Sequence, residues 1–284
     1  MYELKPQKGD DKKMNSEKVV QHLVGRPALG LVDTHAHLND EAFNGEVDKV
    51  VSHAKECGVA FIINSGYDIS SSQEVILLAE QYDDLYATIG IYPENCEEFD
   101  ENCQNLLKNM AKNEKVVGIG EIGLQYTEGM PSKEKQRETF EKQIKMAYEL
   151  EKPIVIHCRE AYGDTLEVLK KNKEFLKFGG TLHCYCGSKE MAIEFLKLGL
   201  HISVGGVSTF KNAEKLREAI SVVPLERLLL ETDCPYLAPH PFRGKRNDPS
   251  YIPTIAENLA KIKGVSVEEI VKKTTENARR LFKI

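Results

Sequence analysis

The stretch GLVDTHAHLND (residues 30–40) decides how this chain is read. An apolar run leads into Asp33, His35 and His37 at every second position, and a turn-like Asn39-Asp40 comes next. Side chains alternate between the two faces of a strand, so an extended backbone here turns one carboxylate and two imidazoles the same way. Successive members then sit about 6.5 to 7 Å apart, at about 3.3 Å of rise per residue. A strand that points three ligand-type side chains in one direction needs something for them to meet.

Seven more short β-rich runs lie downstream: AFIINSG (60–66), LYATIGIYP (85–93), VVGIGEIGL (116–124), PIVIHCRE (153–160), GGTLHCYCG (179–187), HISVGG (201–206) and RLLLETD (227–233). Longer helix-patterned stretches separate them, such as GEVDKVVSHAKECG (45–58) and SKEKQRETFEKQIKMAYELE (132–151), and SVEEIVKKTTENARRLF (266–282) closes the chain. Eight strands each followed by a helix spell an α/β fold, a parallel sheet closed into a single (β/α)8 TIM barrel. Strands with little internal polarity before their C-terminal ends fit burial on both faces. The competing arrangement is an open doubly wound sheet. It would use fewer strands and usually a Gly-rich phosphate loop after the first, where this chain has DTHAH. The expectation is one barrel domain over residues 29–284 with an extra C-terminal helix. Residues 1–28 are charged and poor in large apolar side chains, and read as a flexible tail.

The 284 residues are 41% hydrophobic, enough for a sizeable core. No apolar run approaches the roughly 18 residues of a membrane span, and no apolar secretion segment succeeds the N-terminus. Seven scattered cysteines argue against a disulfide framework and for reduced thiols, so a cytoplasmic location is expected. A net charge of −6 argues against a long sequence-independent grip on duplex nucleic acid. It leaves room for an anionic substrate held by metal ions and a few arginines.

The same alternation applied along the chain gives Val117, Ile119 and Glu121 on one face, then Val155, His157 and Arg159, then Thr181, His183 and Tyr185, then Leu229, Glu231 and Asp233. Each set ends near the C-terminal end of its strand, where barrel enzymes keep their chemistry. The other histidines fall elsewhere: His22 in the tail, His53 on a helix, His201 at a strand start and His240 in a Pro-rich loop. Four imidazoles and two carboxylates in one barrel mouth (His35, His37, Glu121, His157, His183 and Asp233) would be costly to bury with nothing to bind. A metal cluster removes that cost. Six donors exceed the needs of one tetrahedral zinc, so two divalent ions per chain are expected, with zinc, magnesium or manganese as candidates. Glu121, lying between the two histidine sets, is the natural bridge, and Asp233 is the candidate ligand and proton acceptor. Asp33 and Glu231 lie one pleat deeper. Each either holds a ligand histidine by its second nitrogen or is a buried structural carboxylate.

The segments DTHAHL, GEIGL, IHCREA, LHCYCG, LLLETDCPYLAP and RGKRNDPSY, in that order, resemble the TatD family of metal-dependent deoxyribonucleases, within the wider amidohydrolase-like barrels. The likeness runs from about Gly30 to the C-terminus. It implies a two-metal hydrolase of phosphodiester bonds, a nuclease trimming DNA or oligonucleotide ends. Carried over by motif, His35, His37 and Asp233 would bind one ion and His157 and His183 the other, with Glu121 between them. Three positions depart from the pattern: Tyr92 before Pro93 where His is frequent, Gln125 where Asp is frequent, and Cys186 where Thr is frequent. None is expected to touch a metal ligand.

For the substrate, Arg159 stands at the rim, and HPFRGKRN (240–247) places Arg243 and then Asn247 as phosphate contacts; a solvated structural loop is the plain alternative. Tyr126 and Tyr185 either stack on bases or pack in the core. Cys158, Cys184 and Cys186 face the helices by parity, as small buried apolar groups rather than ligands. The rival activity is hydrolysis of an amide, a lactone or another ester on the same barrel. No membrane partner is expected, and the favoured state is a monomer.

Overall fold

The computed structural model describes residues 30–284; the tail over 1–28 lies outside the described residues. Eight strands form one sheet in chain order with every pairing parallel. They are β1 (Leu31–Ala36), β2 (Val59–Ser65), β3 (Leu85–Ile89), β4 (Val116–Gln125), β5 (Ile154–Arg159), β6 (Gly180–Leu182), β7 (His201–Val204) and β8 (Leu228–Leu230). A helix comes after each in turn: α1 (Val47–Glu56), α2 (Ile69–Gln81), α3 (Glu101–Met110), α4 (Lys133–Glu149), α5 (Tyr162–Lys171), α6 (Lys189–Lys197), α7 (Glu214–Ser221) and α8 (Ile252–Lys263). The extra helix is α9 (Val267–Phe282). This is the expected (β/α)8 order, and the doubly wound alternative is ruled out by the sequential strand order. Among the described residues no helix is long and apolar enough to cross a membrane.

An open sheet would leave β1 and β8 with unpaired backbone groups. Here they meet at the rim, where the Asp233 N–H donates to the His35 carbonyl and the His37 N–H to the Cys234 carbonyl, both at 2.9 Å. Deeper in the seam, side chains take over. The Thr34 hydroxyl donates to the Leu230 carbonyl at 2.9 Å, and the Asp33 carboxylate accepts from the Thr232 N–H at 2.9 Å and from its hydroxyl.

Two apolar volumes result. One fills the space between sheet and helices. The other lies inside the barrel and gathers Val32, Phe61, Ile63, Val117, Val155 and Leu229 with Ala278, Leu281 and Phe282 of α9. Helix α9 starts at Ser266, whose hydroxyl accepts from the Glu269 N–H, and buries a stripe at helical spacing. Its last turn plugs the N-terminal end of the barrel, so the polar strand ends are left at the opposite mouth.

Strict alternation fails in three places that matter. In β1, Val32 rather than Asp33 joins the inward set, and the pairing with β2 shifts register between Asp33 and Ala36. An extra residue in one strand bends it and re-aims the side chains beyond that point. Asp33 therefore faces the β8 seam, while His35 and His37 face the mouth, which corrects the expectation that all three share a face. Strand β4 slips against β3 beside Ala87 and against β5 between Ile119 and Ile122. Val117 points into the barrel, Ile119 packs in the outer layer, and Glu121 returns to the mouth. Strand β6 ends at Leu182, and Cys184 adopts a φ of 42°. Tyr185 consequently leaves the mouth for the outer core, where its hydroxyl donates to the Ser188 carbonyl.

Candidate metal centre

Glu121 is the hub of the mouth. Its Oε2 lies 3.4 Å from His35 Nε2 and 3.7 Å from His37 Nε2. Asp233 Oδ1 completes that group at 3.8 and 3.5 Å from the same two nitrogens, which are 3.2 Å apart. The other Glu121 oxygen, Oε1, lies 2.7 Å from His157 Nδ1 and 2.8 Å from His183 Nε2, and these two nitrogens are 3.0 Å apart. The six residues expected from the sequence thus converge, in two groups that share one carboxylate. Tight β4–β5 pairing brings Glu121 and His157 together, and Gly123 makes it possible. Its φ is 148°, and a Cβ there would lie 1.9 Å from the His157 carbonyl oxygen.

The partner that holds each ring decides which nitrogen faces the centre. His37 Nδ1 is 2.9 Å from the Ser65 carbonyl, which can only accept, so Nδ1 carries a proton and Nε2 is the nitrogen turned to the centre. His35 Nδ1 meets the Ser65 hydroxyl at 3.1 Å, and that hydroxyl meets Thr88 Oγ1 at 2.9 Å. His157 turns its Nε2 outward to Gln125 Oε1 at 2.8 Å and the Tyr92 hydroxyl at 3.1 Å. His183 Nδ1 is 3.9 Å from Glu231 Oε1 and makes no hydrogen bond among the described residues; that oxygen accepts from the Cys184 N–H. Sequence reasoning misses Ser65; its signal is a polar pair, Asn64-Ser65, ending an otherwise apolar strand. Tyr92 and Gln125 do touch a ligand histidine, contrary to expectation, because β4 carries Gln125 alongside Arg159 at the end of β5. Asp33 is a seam carboxylate and supports no ring.

Electrostatics arise from packing. Burial alone would push the Glu121 carboxyl up; the charge of His183 and hydrogen bonds from His157, His183 and His35 outweigh it and hold the group well below the carboxylate range. Asp233 is also held low: burial is outweighed by its hydrogen bond with His37 and by the charges of His183 and His37. Burial, and then the neighbouring His183, push His35 down to about 4, so it is neutral. His183 resists its burial and rises to about 10 because Glu121 lies against it. Burial raises Glu231 to about 8.

The donor set fits divalent metal. Donors about 2.0–2.2 Å from one ion at tetrahedral angles lie about 3.3–3.6 Å apart, and the first group spans 3.2–3.8 Å. The second group offers the same donor types at 2.7–3.0 Å. His35, His37 and Glu121, and Glu121, His157 and His183, each form a cluster able to hold an ion.

The proposed substrate residues divide. Arg159 ends β5 at the rim. Arg243 is exposed, with its guanidinium 4.5 Å from the centre of the Phe210 ring. Asn247 is fully buried, and its amide donates to the Thr232 and Tyr236 carbonyls at 2.8 and 2.7 Å. It holds the segment that carries Asp233, and its side chain is not placed to meet a phosphate. Tyr126 donates to Asp164 at 2.7 Å with Lys133 over its ring. Tyr67 and Tyr236, not singled out from the sequence, are the exposed aromatics flanking His37, with ring centroids at 6.1 and 6.4 Å. Cys158 faces Thr165 of α5, as parity requires, whereas Cys186 is exposed because β6 has already ended.

The chain is similar to known proteins along most of its length. The sequence profile of the TatD related DNase family matches residues 32–283. A Bacillus subtilis (strain 168) protein named as the uncharacterized metal-dependent hydrolase YabD is 44% identical over 254 residues, covering 89% of this chain and 99% of its own. A Pantoea ananatis (strain LMG 20103) protein named 3'-5' ssDNA/RNA exonuclease TatD is 33% identical over 258 residues, with 89% and 99% covered. The crystal structure of YJJV, a TatD homolog from Escherichia coli K12, superposes with a TM-score of 0.86 at 30% identity, covering 91% of this chain and all of that one. With the motifs in order, the barrel closed and the donors gathered at its mouth, this chain belongs to the TatD family.

Proposed function

We propose that this protein is a two-ion hydrolase of phosphodiester bonds, a deoxyribonuclease that trims DNA ends. The observation that carries the reading is Glu121, which gives one carboxylate oxygen to each of two histidine groups. His35, His37, Asp233 and Glu121 Oε2 would hold one ion; His157, His183 and Glu121 Oε1 would hold the other. Bound divalent ions supply Lewis-acid chemistry, stabilising charge on a phosphoryl oxygen and making water a stronger nucleophile. Asp233 is the more accessible of the two carboxylates, with 14% of its side chain exposed against 5% for Glu121. Its Oδ1 is turned to His37, leaving the other oxygen to take the proton of the attacking water. Arg159 and Arg243 meet phosphate oxygens on the His157 side and from the loop after β8. Tyr67 and Tyr236 present ring faces on the His37 side for a terminal base. The exonuclease name of the Pantoea relative supports a nucleic-acid substrate. A monomer in the cytoplasm belongs to the same proposal.

The test is a 3′-labelled single-stranded oligonucleotide, with zinc, magnesium, manganese and cobalt in turn, beside a panel of lactones and amides. Metal-dependent shortening of the oligonucleotide that disappears in Glu121→Gln supports the reading. Turnover of a lactone or amide with no action on the oligonucleotide overturns it.

A further inference from the structure

We propose that Tyr92 and Gln125 are an uncharged pair of positioning residues for His157, and that they leave the ion on the His157–His183 side the weaker and exchangeable one of the two. The inference rests on the two-ion reading of the site.

The two donor groups are not equivalent. The His35–His37 group has two imidazoles and two carboxylate oxygens, Glu121 Oε2 and Asp233 Oδ1. The His157–His183 group has two imidazoles and the shared Glu121 as facing donors, with Glu231 3.9 Å behind His183 Nδ1. One fewer anionic donor means less attraction for a cation in the same buried mouth. The outer partner of His157 does nothing to close that gap. Metal-binding histidines commonly pass their second N–H to a carboxylate or a carbonyl, and a carboxylate makes the ring a stronger donor. His157 passes its Nε2–H to the amide oxygen of Gln125, which orients the ring without adding charge.

That amide has little freedom. Its Nε2 donates to Thr127 Oγ1 at 3.0 Å, and its Oε1 accepts from the Tyr92 hydroxyl at 2.6 Å. The backbone of Gln125 is clamped at both ends by Gln136, whose Oε1 accepts from the Gln125 N–H and whose Nε2 donates to the Gln125 carbonyl, each at 2.9 Å. Tyr92 is anchored by its own N–H to the Tyr67 carbonyl at 2.8 Å. The oxygen at His157 is therefore fixed, so Nδ1 is kept toward Glu121. On the other ring, His183 Nδ1 has no hydrogen bond among the described residues to sharpen it.

The experiment is calorimetric titration of the metal-stripped full chain with zinc and with manganese, with chelator competition and elemental analysis after dialysis. Wild type should show two dissociation constants. Gln125→Glu, isosteric but anionic, should tighten the weaker by about tenfold or more. Gln125→Leu should loosen it by about 10- to 100-fold. Tyr92→Phe should loosen it less. All should leave the tighter constant in place. Metal-free melting temperatures separate these effects from simple unfolding, and Gln125→Glu carries the test if Gln125→Leu does not fold. Two ions with both constants unmoved in Gln125→Glu, or a shift confined to the tighter ion, overturns this inference and leaves the two-ion reading standing. A single ion in wild type overturns both.

Discussion

Replacing Ser65 by Ala should loosen the metal centre from a position that touches no ion. Ser65 holds both histidines of one group by different atoms. Its hydroxyl meets His35 Nδ1 at 3.1 Å and Thr88 Oγ1 at 2.9 Å, while its carbonyl meets His37 Nδ1 at 2.9 Å. Ser65→Ala removes the first two contacts and spares the third. A hydrogen bond of this kind is worth about 1 kcal/mol net, and the freed His35 ring must then be ordered again whenever an ion binds. A combined cost of about 1–2 kcal/mol corresponds to roughly a 5- to 30-fold weaker ion on the His35–His37 side. The buried Thr88 hydroxyl also loses its partner, which costs the metal-free fold about 1–3 kcal/mol. Calorimetric titration reads the first effect and urea unfolding of the stripped protein the second. The ion on the His157–His183 side should be unaffected, which makes this substitution the mirror of Gln125→Leu. A variant that unfolds more easily yet binds both ions as wild type does would refute the idea that Ser65 sets the His35 ring.

Three further outcomes are expected. Asp233→Asn should lower kcat on a labelled oligonucleotide by about a hundredfold or more while the protein stays folded by circular dichroism, since the proton acceptor is lost. Asn247→Ala should cost about 2–3 kcal/mol in urea unfolding, because the Thr232 and Tyr236 carbonyls each lose a buried donor. His201 is kept neutral by burial, then by the charge of Arg227, which bring it down to about 4 from 6.5. Below pH 6.5 the unfolded chain takes a proton that the folded one refuses, so stability falls from there to pH 4, by about 2 kcal/mol at pH 5. His201→Phe, an apolar ring of similar shape that cannot titrate, should flatten this acid limb between pH 7.5 and 5.

The barrel is legible in the sequence because its strands are short apolar runs in steady alternation with helical patterns, and the sequential parallel order comes from that alone. The six donors are legible for a related reason: polar residues at the ends of buried strands have few other uses. Alternation as a ruler is less faithful than its result. Glu121 reaches the mouth through two register slips in β4 whose effects cancel, and Ile119 goes the other way. Asp33 is misplaced by the irregularity in β1, and Tyr185 by the early end of β6. No local pattern reports a bulge. The supporting contacts are hidden for a different reason. Ser65, Tyr92 and Gln125 lie 30, 65 and 32 residues from the rings they hold, so only the closed barrel brings them together.

The measurement that tests the central claim most directly is anomalous diffraction, at the metal's absorption edge, from crystals grown with zinc or manganese. Two peaks in the barrel mouth should appear, one beside His35, His37 and Asp233 and one beside His157 and His183, with Glu121 between them. No peak in the mouth, or one with Glu121 turned away from it, would contradict the account.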